Sequence, residues 1–528
     1  MFTFINVYAQ IKKENNFPDF PIQNNQKKIW NDNKEEVKKD TLRLEYNEYI
    51  PIFPKNKFKK DSSLSNFEFR RTEKRIFVDN RQTLTRLKLG FGNYTSGLWG
   101  FYLKSYSGKY TTYEFDASQV WRRYGAVQGR LSGENDLALN LKVQFNQDSL
   151  YQHTFTFEYE RQKRGFYGYS PTDFEQMSRD TIPFNWQRVK AQGFLFAPRE
   201  KNRWHLKYFI QNLNQKEAKE LQLGAEYSNT WKVNQKNDFN FILDLLSMSY
   251  GNELFRTWWN NHFQWKGEYK RFGYAVNTGV VIHNDGIENP VNPYININGT
   301  YQFSPKLRVK TNIGNQIIKR TLDNTRLENP FLNPFLRLRN DEVNFLELKT
   351  IYYIQPNWEV QLQLGHNRHK YRALFYNMPT DSGKFSIFYD GVVENHLKIN
   401  TTYQEKEHQL TMQMSFFNYQ TTRQAKAWHL PRFTLLFGWK YQPQFSKWQI
   451  NTQIEILSGM NVLSPDAQNV FLLQPIANGK VEGEYLLAKK FSAFFSINNL
   501  FFQKYERYLS YIQVPFHFTI GLKYELRR

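Results

Sequence analysis

The stretch "LALNLKVQFN", residues 137–146, decides the fold. Leu137, Leu139, Leu141, Val143 and Phe145 alternate with Ala138, Asn140, Lys142, Gln144 and Asn146. A helix would scatter the five apolar side chains around its axis at about 100° per residue, whereas a strand collects them on one face. The pattern returns in "HTFTFEYER" (153–161), "LQLGAEYS" (221–228), "HFQWKGEYK" (262–270), "YININGTYQF" (294–303), "NWEVQLQLG" (357–365), "RFTLLFGWKYQ" (432–442) and "KWQINTQIEI" (447–456). From Leu84 onward period two hardly lapses, and no long helix interrupts it. The chain is all-β.

Composition agrees with this interleaving. Aromatic residues make up 17% of the 528 and charged residues 23%, while the mean hydropathy is -0.70. No run approaches the roughly 18 apolar residues of a membrane-spanning helix. There is no cysteine, which excludes disulfides and thiol chemistry. The formal charge of +22 is spread along the whole chain, so it marks no nucleic-acid face.

The links between strands carry a second signal. Short polar ones, "YSGK", "REKN", "NQKND", "SPK", "QPN", "EKE" and "PQFS", alternate with long ones, "KRGFYGYSPTDFEQMSRDTIPFN" (163–185), "KRTLDNTRLENPFLNPFLRLRN" (319–340) and "SGMNVLSPDAQNVFLL" (458–473). Short on one side and long on the other is the wiring of an outer-membrane barrel. A soluble sandwich or propeller also alternates, but its strands average about five or six residues, and no blade-scale repeat is present. The expected fold is therefore a transmembrane antiparallel up-and-down β-barrel of about 22 strands, within a range of about 18 to 24, spanning residues 81–528. An even count puts both termini in the periplasm.

Two segments precede the barrel. Residues 1–10 read like the tail of a secretory signal, the other reading being an ordinary apolar N-terminus. Residues 11–80, rich in Lys, Asn, Asp and Glu and broken by prolines, read as a polar, flexible periplasmic leader.

The last strand matches an assembly signal. Thr519-x-Gly521-x-x-Tyr524-x-Leu526 resembles the polar, glycine, aromatic, hydrophobic pattern that the barrel-assembly machinery reads in outer-membrane proteins, with Arg527 and Arg528 following where that pattern usually stops on an aromatic. Together with "LKLGFGNYTSGLWGFY" (87–102), "ENPFLNPFL" (328–336) and "SINNLFFQKYERY" (496–508), it makes residues 80–528 similar to the barrel portion of TonB-dependent receptors, closest to the plug-less barrels of Bacteroidota. The resemblance implies an outer-membrane location, lipid and the assembly machinery as partners, a further periplasmic or surface partner protein, and solute passage or service as a barrel subunit of an envelope complex. The alternative is an adhesin or structural barrel whose long loops bind partners outside. The leader is shorter and more polar than the plug of such receptors.

No enzymatic motif is present: no phosphate loop, no nucleophile elbow, no H-E-x-x-H. No catalytic, cofactor or metal residue is nominated. His366 and His369 fall on opposite faces of one strand and read as a solvated strand end, not a metal pair. On the polar parity stand Arg86, Lys88, Lys142, Lys266, Lys306, Arg308, Lys310 and Lys440, joined by Lys207, Lys270, Lys398 and Lys523. These are candidate lumen cations that would favour anionic solutes, unless they sit at the rims or pair with nearby glutamates. Trp99, Trp204, Trp265, Trp358, Trp439 and Trp448 take the apolar parity as expected interfacial girdle residues. A lumen of this width needs an occluder, and the candidates are the long loops 162–186 and 318–341, the leader, or a partner.

Overall fold

The computed structural model describes residues 83–527, apart from 108–109, 128, 148–150, 177–181, 199–201, 217, 235, 252–253, 286–287, 289, 444–445 and 465–468. The expected signal remnant, the whole of the leader and Arg528 lie outside the described residues.

Twenty-two strands form one sheet, each hydrogen-bonded to its neighbour in sequence. Every pairing is antiparallel, and the sheet closes where the first strand, Leu84–Gly92, pairs with the last, His517–Arg527. Closure matters because an open edge would leave a row of unpaired amides and carbonyls, which hydrocarbon cannot solvate. Strand lengths run from 8 residues in Phe491–Asn498 to 25 in Asp381–Glu405.

Alternation sorts the two faces. In the first strand Leu87, Leu89 and Phe91 are exposed, while Arg86 and Lys88 point the other way, Arg86 reaching Glu525 and Lys88 lying over the Phe494 ring. The greasy face looks outward and the polar face lines the lumen. Around the short-turn rim, aromatic pairs lock neighbouring strands: Trp265 with Tyr274 at 5.6 Å, Trp358 with Tyr403 at 6.0 Å, Trp448 with Tyr485 at 4.6 Å and Phe491 with Tyr524 at 4.9 Å. Trp204 and Trp439 stand in the same belt, paired with Tyr151 and Tyr441. Trp99 lies toward the opposite rim and donates to Gln119.

The links are less regular than the sequence suggests. All the short polar ones do fall on one rim. The other rim also carries tight connections, at 93–95 and 379–380. The last of these joins two strands, Trp358–Met378 and Asp381–Glu405, that rise past their neighbours as a tall hairpin. Two of the candidate cations leave the wall for the turns: Lys306 follows Ser304, where one strand ends, and Lys270 follows Tyr269, with a positive φ of 54°. Strand ends read from alternation alone slip by a residue or two, which is enough to move both.

Candidate functional site: the closed mouth of the barrel

Three loops of the long-loop rim stand far apart around the ring. They follow the fifth, thirteenth and twenty-first strands, so eight, eight and six strands separate them. A 22-strand barrel is on the order of 40 Å across. Segments rooted that far apart touch only by reaching over the opening.

They touch. Phe166, Tyr167 and Tyr169 of the first loop, Phe331, Leu332 and Leu336 of the second, and Tyr508 and Tyr511 of the third are buried in one cluster with Phe375 and Phe385 of the tall hairpin and Trp186 of the wall. Tyr511 stacks on Phe331 at 3.6 Å, Tyr167 meets Tyr511 edge-on at 4.8 Å, and Phe184 lies 4.3 Å from Phe166. Hydroxyls tie the rings to other segments' backbones: Tyr167 donates to the Ile512 carbonyl at 3.1 Å, Tyr511 to that of Gly383, and Tyr508 to that of Glu328. Tyr169 donates to Asp381 at 2.6 Å. Burial and this bond hold its phenol above the ordinary tyrosine range. Leu332 adds a strand-like bridge to Phe385, with the Asn333 amide donating to the Phe385 carbonyl at 2.8 Å and the Phe385 amide to the Phe331 carbonyl at 2.9 Å.

The second loop is also bolted to the inner wall. Its helix α2, Leu322–Glu328, is capped by Thr321, whose hydroxyl accepts from the Asn324 amide. The Leu322 amide donates to Glu220 at 2.8 Å and Gln211 donates to Asp323 at 3.2 Å. Arg326 pairs with Asp323 at 2.6 Å and donates to Gln162 at 3.0 Å. Arg256 reaches the Arg320 carbonyl at 2.8 Å and Asn340 at 2.9 Å. Glu220, Gln211 and Gln162 lie on the lumen parity a few residues below their strand ends, so the helix sits inside the mouth. The first loop carries a shorter helix, α1, Pro171–Gln176, and Arg130 donates to the Tyr169 carbonyl at 2.6 Å.

The candidate cations do not gather here. Arg86 pairs with Glu525 at 3.1 Å and Lys142 with Glu114 at 3.8 Å. Lys266 stands opposite Asp238 in register, Lys310 opposite Lys349, and Lys440 opposite Asn451. Arg308 donates to Gln302 at 2.9 Å. Of the others, Lys207 faces Glu226 in register, Lys523 pairs with Glu484 at 2.7 Å, and Lys398 is buried. They are dispersed around the wall among carboxylates.

The histidines need a correction. His366 is exposed and bonded to Asn395, but His369 is buried, not solvated: its Nδ1 lies 2.7 Å from Asp341, within a cluster holding Arg372, Glu394 and His396. His369 lies on the lumen face of the tall hairpin's first strand, packed among these charged partners. No group of three or more His, Asp or Glu among the described residues has metal-binding geometry.

At the seam, Thr519 is buried and Gly521 faces Gly90, the Phe494 ring lying over both. A Cβ on Gly521 would fall 2.5 Å from that ring and overlap the Leu89 carbonyl oxygen, so close approach requires glycine. Tyr524 joins the short-turn belt, and Leu526 stands opposite Thr85.

No protein-family profile matches the chain, and no curated protein is similar to it in sequence. Solved structures are. The FrpB iron transporter from Neisseria meningitidis superposes with a TM-score of 0.67 at 9% identity, over 85% of this chain and 82% of that one. In fold the barrel resembles the barrels of TonB-dependent receptors. The ferric enterobactin receptor PfeA from Pseudomonas aeruginosa gives 0.62 at 12% identity, over 84% and 81%, and the siderophore receptor PirA from Acinetobacter baumannii 0.66 at 8%, over 85% and 81%. Likeness at such identities concerns the fold. The interlocked lid had one legible trace in the sequence, the aromatic density of "GFYGYS", "NPFLNPFL" and "YERYLSYI", which alternation does not explain.

Proposed function

We propose that the chain is an outer-membrane barrel that passes solute through its lumen and keeps its outer mouth closed with its own loops. The observation that supports this is the Phe331–Tyr511 core, built from loops spaced about a third of the ring apart. An inert structural barrel gains nothing from a polar lumen sealed at one end; a conduit does, because an open bore of this width would leak. In this reading the short-turn rim, where the first strand starts and the last one ends, faces the periplasm, lipid covers the outward face, and the last strand is the stretch read by the assembly machinery. The siderophore and iron receptors of like fold suggest solute uptake as the direction. The dispersed lumen cations, several of them paired with carboxylates, suit polar solutes more broadly than anions alone.

Solute flux into reconstituted vesicles tests the reading. The native chain should swell vesicles slowly in a small sugar, and the double variant Phe331→Ala, Tyr511→Ala markedly faster. A folded double variant that passes nothing, with surface binding lost on loop deletion, would favour the adhesin instead.

A further inference from the structure

The stretch Leu500-Phe501-Phe502 is apolar, exposed and held rigidly in place. Phe502 is 62% exposed and Phe501 47%. Two non-glycine residues in the left-handed region, Asn499 at φ 53° and Phe502 at φ 55°, shape the turn; such a backbone is disfavoured for a bulky aromatic and persists only where its surroundings enforce it. Here Asn499 enforces it, its side chain donating to the carbonyls of Gln503 at 2.7 Å and Val514 at 2.9 Å. Gln503 completes the clamp by accepting from the Ala477 amide at 2.7 Å.

The side of the wall on which this turn lies follows from one contact. A Cβ on Gly479 would meet the Leu500 Cβ at 3.0 Å and the Phe501 ring at 3.1 Å. Gly479 shares parity with Val481, Gly483 and Tyr485, the outward set, whereas Lys480, Glu482 and Glu484 point into the lumen. The turn therefore folds down over the outside of the barrel. Its apolar surface continues without a break: Phe502 stacks on Phe516 at 4.5 Å, and Phe516 lies 6.2 Å from Phe518, the first outward residue of the last strand, followed by Ile520 and Leu522.

We infer that Leu500–Phe502 and Phe516 form an apolar step seated in the hydrocarbon of the outer leaflet beside the barrel seam. The occupant is lipid because the step prolongs the lipid-facing band; the inference rests on the proposed membrane-spanning reading. Apolar surface placed at that boundary gains what it would lose in water, and it fixes how deep this sector of the rim sits.

The chain has no cysteine, so single spin labels can be placed cleanly. Phe501→Cys, Phe502→Cys, Ile520→Cys on the barrel band and Phe335→Cys on the lid are labelled, reconstituted in phosphatidylcholine vesicles and checked for folding by heat-modifiable migration. Collision with oxygen, which concentrates in lipid, is compared with collision with a water-soluble nickel chelate. The expected result is an oxygen-to-nickel ratio at 501 and 502 close to that at 520 and several-fold above that at 335. Ratios at 501 and 502 matching 335, while 520 reads as lipid, would overturn the step. Exclusion of both probes at 501 and 502 would overturn it in favour of a protein cover, a second copy being recognised by spin–spin broadening. A 520 label that reads as water would instead remove the membrane-spanning reading beneath it. Phe502→Cys is the safeguard should Phe501→Cys, which packs on Gly479, fail to fold.

Discussion

Tyr511 lies flat on Phe331 with ring centroids 3.6 Å apart, although the two residues hang from points eight strands apart on the rim. A contact of that kind spans the opening. Each residue is also held by the tall hairpin, the Tyr511 hydroxyl donating to the Gly383 carbonyl and the Phe331 carbonyl accepting from the Phe385 amide, so the lid should open as a unit.

Truncating one partner should show this. Tyr511→Ala removes a buried aromatic, which costs about 3 kcal/mol in a packed core, or roughly a hundredfold in the closed-to-open ratio. Amide hydrogen exchange in the described parts of loops 166–182, 319–340 and 499–516 should accelerate together, while the barrel strands stay protected.

The helix in the mouth gives a second handle. Arg326 is almost fully buried and holds Asp323 and Gln162. Arg326→Ala leaves Asp323 and the Gln162 amide oxygen without it in a closed site, at a cost of about 3 kcal/mol. Arg326→Lys should recover only part, since an ammonium lacks the guanidinium fork. Protease cleavage within 322–328 reads the release.

Alkali should loosen the lid through Tyr169. Burial and the bond to Asp381 hold its phenol above the ordinary tyrosine range near 10, so the neutral form belongs to the closed state and the open state ionises first. The stabilisation is complete below pH about 10 and is lost as pH rises toward the closed-state value. Tyr169→Phe should flatten that part of the conductance-against-pH curve, and an unchanged slope would sink the assignment.

At the seam the prediction is geometric. Gly521→Ala puts a methyl group onto the Leu89 carbonyl oxygen as well as the Phe494 ring, a clash costing about 1–3 kcal/mol or more. Phe494→Leu should not rescue it, because the backbone oxygen remains. The yield of heat-modifiable folded barrel measures both. Arg527→Ala, by contrast, removes an exposed rim contact to Glu525, which Arg86 also holds, and should change stability by less than about 1 kcal/mol.

How much of this could be read from the sequence differs by level. Alternation such as Leu137 to Phe145 carries the barrel, because lipid on one side and water on the other act on every strand alike. Closure of the mouth depends on contacts between distant loops, which no periodicity encodes. The two copies of Asn-Pro-Phe-Leu at 329–332 and 333–336 make the point: Phe331 is buried in the aromatic core, yet Phe335 is 72% exposed. His369 is similar, its face readable from parity and its burial set by Asp341, Arg372 and Glu394 packing around it. Lys306 and Lys270 were displaced by strand ends that alternation places only to within a residue or two.

Single-channel conductance tests the closed mouth most directly. The native chain and a variant with residues 323–338 replaced by a short Gly-Ser link are each reconstituted in a planar bilayer, after heat-modifiable migration confirms that both barrels are folded. The native chain should stay at low conductance with rare openings, and the variant should hold a large, steady open level. Equal conductance in the two would contradict a lumen closed by its own loops.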